Sequence, residues 1–83
     1  MSEGIGPSET RRMLAGRIST ILKASRIDAD VSQEKLATSL GWTRNMIANL
    51  ESGRRAVQVV DFLLIAKALQ LDPQRLLHRV IQW

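Results

Sequence analysis

The chain has 83 residues, with 12 basic against 8 acidic side chains, a net charge of +4, 45% hydrophobic residues and no cysteine. A chain of this length makes one small domain with a single core; it cannot enclose a large substrate cleft, and its marginal burial calls for tight packing or a second copy. Without cysteine there are no disulfides or thiolate metal sites, and the lone histidine, His78, cannot build a metal centre, so neither metal nor cofactor is expected.

Residues 1–9 hold two glycines and a proline with little apolar content, and read as a mobile tail ahead of an ordered domain over 10–83. Glu3 and the glycines stand where a secretory signal would carry positive charge and then an apolar run. No apolar stretch approaches the ~18 residues of a membrane span, so a soluble, cytoplasmic protein is expected. The basic excess suits a polyanionic partner, and it also suits many ordinary soluble proteins.

From Thr10 the pattern is helical. Leu14, Ile18, Ile21 and Leu22 form one apolar stripe with Arg11, Arg12, Arg17 and Lys23 largely off it, and this helix is expected to end near Ile27, before Asp28-Ala29-Asp30. Ser32 caps a second helix that runs to Leu40, buries Leu36, Ala37 and Leu40, and has Glu34 near its positive end. Gly41 stops it by adopting the left-handed conformation that glycine takes without strain. Thr43 caps a third helix to about Glu51, which Gly53 ends in the same way. Val60, Leu63, Leu64 and Ala66 to Leu69 mark a fourth helix. Asp72-Pro73 starts a fifth, with Leu76, Leu77, Val80 and Ile81. No segment alternates as a strand does, so the fold class is all-α, a compact bundle of about five helices.

On the third helix Ile47 and Leu50 fall on one side, while Arg44, Asn45, Ala48 and Asn49 gather on the other. Arginine can grip O6 and N7 of guanine, and asparagine can grip N6 and N7 of adenine. Ala48 is small enough to let the helix approach, and its methyl can meet that of a thymine. A solvated polar face is also what an ordinary surface helix presents, so the face gains its meaning from its surroundings.

Those surroundings resemble a known family. Ser32-Gln33-Glu34-Lys35-Leu36-Ala37, Leu40-Gly41-Trp42-Thr43, Ile47, Leu50-Glu51-Ser52-Gly53-Arg54-Arg55 and Ile65-Ala66-Lys67-Ala68-Leu69 look like the Cro and phage-repressor type of helix-turn-helix domain, the xenobiotic-response-element-like transcriptional regulators. The resemblance covers roughly residues 17–77, with the elements in the family's order and spacing. It implies a lambda-repressor-like DNA-binding domain whose second and third helices form the helix-turn-helix.

By resemblance, Gln33 is expected to bond a DNA phosphate and to brace the recognition helix. Thr43, Arg44, Asn45 and Asn49 match positions that face bases or adjacent phosphates, and Arg54 and Arg55 fall in the loop that lies on the sugar-phosphate backbone. Arg26 and Glu51 match a partly buried salt bridge between the first and third helices. Independently of the family, the amides that open helices two and three can bind phosphate oxygens. Lys35 and Arg12 read as ordinary surface charges, and Trp42, in place of the family's common valine, as a core plug beneath the turn. Asp30 and Gln70 stand where the family usually has glycine, and Gln58 replaces a Ser or Thr cap, so altered loop geometry is expected there.

Leu76, Leu77, Val80, Ile81 and Trp83 supply more apolar surface than this end of a monomer easily covers, which suggests a two-fold dimer with recognition helices ~34 Å apart on an inverted repeat. The same residues also suit closing the chain's own core, with Trp83 frayed. The sequence thus predicts a small stand-alone regulator, a repressor or controller, that binds double-stranded DNA as a homodimer. The rival is an antitoxin or other protein-interaction module whose C-terminal apolar surface binds a partner protein. An enzyme is not expected, since no catalytic triad spacing, phosphate-binding glycine loop or paired-carboxylate motif is present and no pocket is foreseen.

Overall fold

The computed structural model describes residues 6–82, in which five helices follow one another without a strand: α1 (Pro7–Asp28), α2 (Gln33–Leu40), α3 (Arg44–Ser52), α4 (Val59–Ala68) and α5 (Pro73–Val80). Trp83 and residues 1–5, in the expected tail, lie outside the described residues. Pro7 to Glu9 are not part of a tail. They form the first turn of α1, because proline at the first helical position has the right φ already and Glu9 Oε1 accepts from the Gly6 N–H at 3.4 Å.

The remaining starts follow capping chemistry. Ser32 Oγ accepts from Lys35 N–H at 3.0 Å, Thr43 Oγ1 from Met46 N–H at 3.2 Å, and Asp72 Oδ1 from Gln74 N–H at 2.9 Å. At α4 the Gln58 side chain supplies no cap; instead Asp61 reaches back to accept from the Gln58 N–H at 3.4 Å.

The helix ends hold a surprise for the two glycine-less turns. Asp30 and Gln70 both take φ 60°, the left-handed conformation that Gly41 adopts at φ 72°. In each turn the following amide bonds back to a carbonyl in the last helical turn: Val31 to Arg26 at 3.2 Å, Trp42 to Ala37 at 2.9 Å, Leu71 to Ala66 at 2.8 Å. At Asp30 and Gln70 the chain thus has the geometry of its own Gly41 turn. The turn keeps its shape, and aspartate and glutamine bear the strain that glycine would avoid.

One core joins all five helices. Leu22 of α1, Leu36 and Ala37 of α2, Ile47 and Leu50 of α3, Phe62, Ile65 and Ala66 of α4, and Leu76 and Val80 of α5 are buried together, with Leu69 beside them. Trp42, half-buried, packs against this cluster beneath the α2–α3 turn. Ile18 is the first residue of α1 to join it; Leu14, on the same stripe, is half-buried but outside the cluster. The first half of α1 therefore runs past the bundle, in a molecule measuring 48 × 24 × 20 Å. At the junction the Arg17 guanidinium donates to Val80 O at 3.2 Å and to Gln82 O, so a cation from α1 closes the negative end of α5.

Candidate nucleic-acid interface

The α2–turn–α3 unit is positioned by an ion pair. Arg26, near the end of α1, donates from Nε to Glu51 Oε2 at 2.6 Å and from Nη2 to Glu51 Oε1 at 3.0 Å, a two-bond fork with side chains only 10% and 6% exposed. Its Nη1 also donates to Val31 O at 2.8 Å, tying the α1–α2 turn to the same group. Gln33, at the start of α2, donates from Nε2 to Glu51 Oε1 at 3.0 Å. One carboxylate on α3 thus gathers α1 and α2 around it. The Gln33 amide has a second N–H, and its side chain is half-buried at the rim, so the brace leaves it one donor to offer outward.

With Glu51 turned inward, the outer face of α3 carries no acid. Arg44 and Asn45 are exposed, and Ala48 and Asn49 are half-buried. Among the described residues the side chains of Arg44, Asn45, Asn49, Arg54 and Arg55 have no hydrogen-bond or ion-pair partner. Thr43 Oγ1 is used as an acceptor in capping α3, which leaves its O–H free to donate. The loop after α3 is held close: Arg55 N–H bonds Asn49 O at 3.1 Å, and Arg54 N–H bonds Ser52 Oγ at 3.4 Å. Arg54 and Arg55 are exposed directly beyond the C-terminal end of α3. Thr43, Arg44, Asn45, Asn49, Arg54 and Arg55 are thus brought to one helix and its two ends. Gln33 joins them through Glu51.

The dimerisation set divides. Leu76 and Val80 are 3% and 1% exposed and belong to the chain's own core, so they are not available to a partner. Their burial follows from helical spacing, which turns them toward α1 and α4 while Leu77 and Ile81 face out at 48% and 44% exposure. The sequence predicts α4 but not its outer surface, where Val59, Val60, Leu63 and Leu64 are all exposed. The signal was there: apart from Asp61 and Lys67 every residue of α4 is apolar, and a helix of that kind needs cover on more than one face. An apolar groove, also unforeseen, lies between α1, α4 and α5 and is lined by Ile18, Phe62, Leu63, Pro73 and Leu77. No titratable side chain lines it.

Among the described residues no cluster of histidine, aspartate or glutamate could hold a metal, and no helix is long and apolar enough to cross a membrane. No curated protein matches the chain. Solved structures similar in fold include two regulators. The clp gene regulator ClgR from C. glutamicum superposes with a TM-score of 0.76 at 22% identity, covering 81% of this chain and 87% of that one. A point mutant of the restriction-modification controller protein C.Esp1396I superposes with a TM-score of 0.77 at 23% identity, covering 83% of this chain and 92% of that one. Residues 22–76, the span from the first core leucine of α1 to the core leucine of α5, match the helix-turn-helix family. With α2 and α3 arranged about Gly41, the matched span takes in more than half of the chain, which belongs to the Cro and phage-repressor type of helix-turn-helix protein.

Proposed function

We propose that the protein is a sequence-specific transcriptional regulator that places α3 in the major groove of double-stranded DNA and works as a homodimer on an inverted repeat. The observation that carries this reading is the outer face of α3: it is free of acid, with Arg44 and Asn45 exposed and Asn49 half-buried, their side chains have no partner among the described residues, and the Arg26–Glu51–Gln33 network ties the helix to α1 and α2. Arg44, Asn45 and Asn49 read bases; Thr43, the second N–H of Gln33, Arg54 and Arg55 hold phosphates. Base contacts specify and phosphate contacts position. Family membership supports the reading, as does the fold shared with one protein described as a gene regulator and another described as a controller.

Selection of bound duplexes from a random pool, followed by fluorescence anisotropy, tests it. Arg44→Ala is expected to lose roughly 1 to 3 kcal/mol of discrimination at one base position of each half-site. Equal binding of the unaltered protein to selected and scrambled duplexes would overturn the assignment.

A second reading is favoured by the exposed apolar surface of α4 and α5: a module, such as an antitoxin, that docks another protein there. DNA binding and such docking are compatible. Purification as a complex with a second polypeptide distinguishes this reading from a regulator that pairs only with itself.

A further inference from the structure

The first half of α1 lies outside the core and outside the family match, which starts at residue 22. It is not idle surface. Arg11 and Arg12 on α1 and Arg55 of the loop after α3 line one groove, together with Gly16 and Gly53. No carboxylate lines this groove, and Arg26–Glu51 is the sole ion pair among the described residues. Glu9, the acid nearest to Arg11 and Arg12 in sequence, accepts from the Gly6 N–H at the helix start. Three guanidinium groups therefore share one concave surface without a counter-charge.

We propose that this groove is a second DNA contact, in which Arg11 and Arg12 act with Arg55 to hold backbone phosphates that flank the base pairs met by α3. The inference rests on the DNA-binding reading above and extends its footprint onto α1. Two features favour a duplex over a small free anion. All three arginines are exposed, so a lone anion would stay hydrated between them, whereas a duplex presents phosphates in a row and releases condensed counterions at every contact. The groove is also continuous with the reading helix, because the Arg55 N–H is bonded to Asn49 O.

The test uses the full chain and duplexes selected by the unaltered protein, with affinity measured across a salt series. The double variant Arg11→Ala/Arg12→Ala is expected to bind roughly tenfold more weakly near ~0.1 M salt, on selected and scrambled duplexes alike, with a log–log salt slope shallower by about 1.8 per bound chain. Gly16 offers an independent variant. A Cβ there meets no atom within 4 Å, and glutamate is a better helix former than glycine, so Gly16→Glu puts a carboxylate among the arginines without endangering the fold. Gly16→Glu should weaken binding on every duplex, and by more than the isosteric but uncharged Gly16→Gln does, the difference being the effect of the charge. Unchanged affinity and slope in the double variant and in Gly16→Glu, with the unaltered protein still binding, would overturn the second contact and leave the α3 reading intact. If the unaltered protein binds no duplex, both readings fail together.

Discussion

Glu51 decides how α3 is presented. Its two oxygens accept three hydrogen bonds, two from Arg26 and one from Gln33, and almost none of it meets water. Removing one partner leaves a buried charge uncompensated, and Glu51→Gln or Arg26→Met is expected to cost about 3 kcal/mol. Urea unfolding measures this as a lower midpoint at an unchanged slope. Replacing both residues with apolar side chains of similar size should restore most of the loss, because the desolvation of both charges then disappears. A cost under ~1 kcal/mol for either single variant would mean that the pair is screened as an exposed one is. The two residues were legible only through the family resemblance, since they lie 25 positions apart and no local pattern couples them. The bond of Gln33 to the same carboxylate needed the folded geometry.

Among the elements, the turns show where local chemistry is decisive and where it yields. Ser32, Thr43 and Asp72 open helices as their side chains dictate, and Gly41 and Gly53 close them at positive φ. Gln70 closes α4 at the same left-handed geometry although a side chain disfavours it. Packing overrides preference here, since Leu69 is buried on one side of the turn and Leu71 packs against the core on the other. Gln70→Gly is accordingly expected to raise stability by about 0.5–1 kcal/mol, the relief of left-handed strain less the extra chain entropy of glycine. Thermal unfolding monitored by circular dichroism checks it, and a lower midpoint would contradict the strain argument. Asp30→Gly should gain less, because a short polar side chain tolerates this conformation better than glutamine does. At the other end of α1, periodicity could not find the start at Pro7, for the first turn carries no apolar face to read; proline and Glu9 were the signals.

For the molecule as a whole, the question is what covers α4 and α5. Val59 is 76% exposed and Val60 55%, with Leu63, Leu64, Leu77 and Ile81 open beside them. A two-fold pairing would bury the same patch on both copies and bring two α3 helices to one face of a duplex. Leu63→Glu tests this with little risk to the fold, because Leu63 is 47% exposed. Sedimentation velocity is expected to show loss of the dimer, and anisotropy a loss of affinity for the inverted repeat while a single half-site binds as before. An unaltered protein that sediments as a monomer at micromolar concentration would point instead to a different partner for this surface. A dimer in which Arg54 and Arg55 of each copy hold phosphates together with Arg11 and Arg12 touches ~8 of them and should show a log–log salt slope near roughly −7.

The amino-acid sequence by itself determined the five helices, the caps at Ser32, Thr43 and Asp72 and most of the core positions, because capping bonds and helical periodicity act over a few neighbouring residues. It also placed Arg44, Asn45 and Asn49 on one face of one helix, which is a matter of angle alone. Tertiary structure decided the rest. Leu76 and Leu77 are the same residue type side by side, yet one is 3% exposed and the other 48%. Arg12 and Arg55 are 43 positions apart in the chain, yet they line one groove. Burial and charge neighbourhood depend on which elements meet in space, and that becomes defined only when the five helices close on a common core.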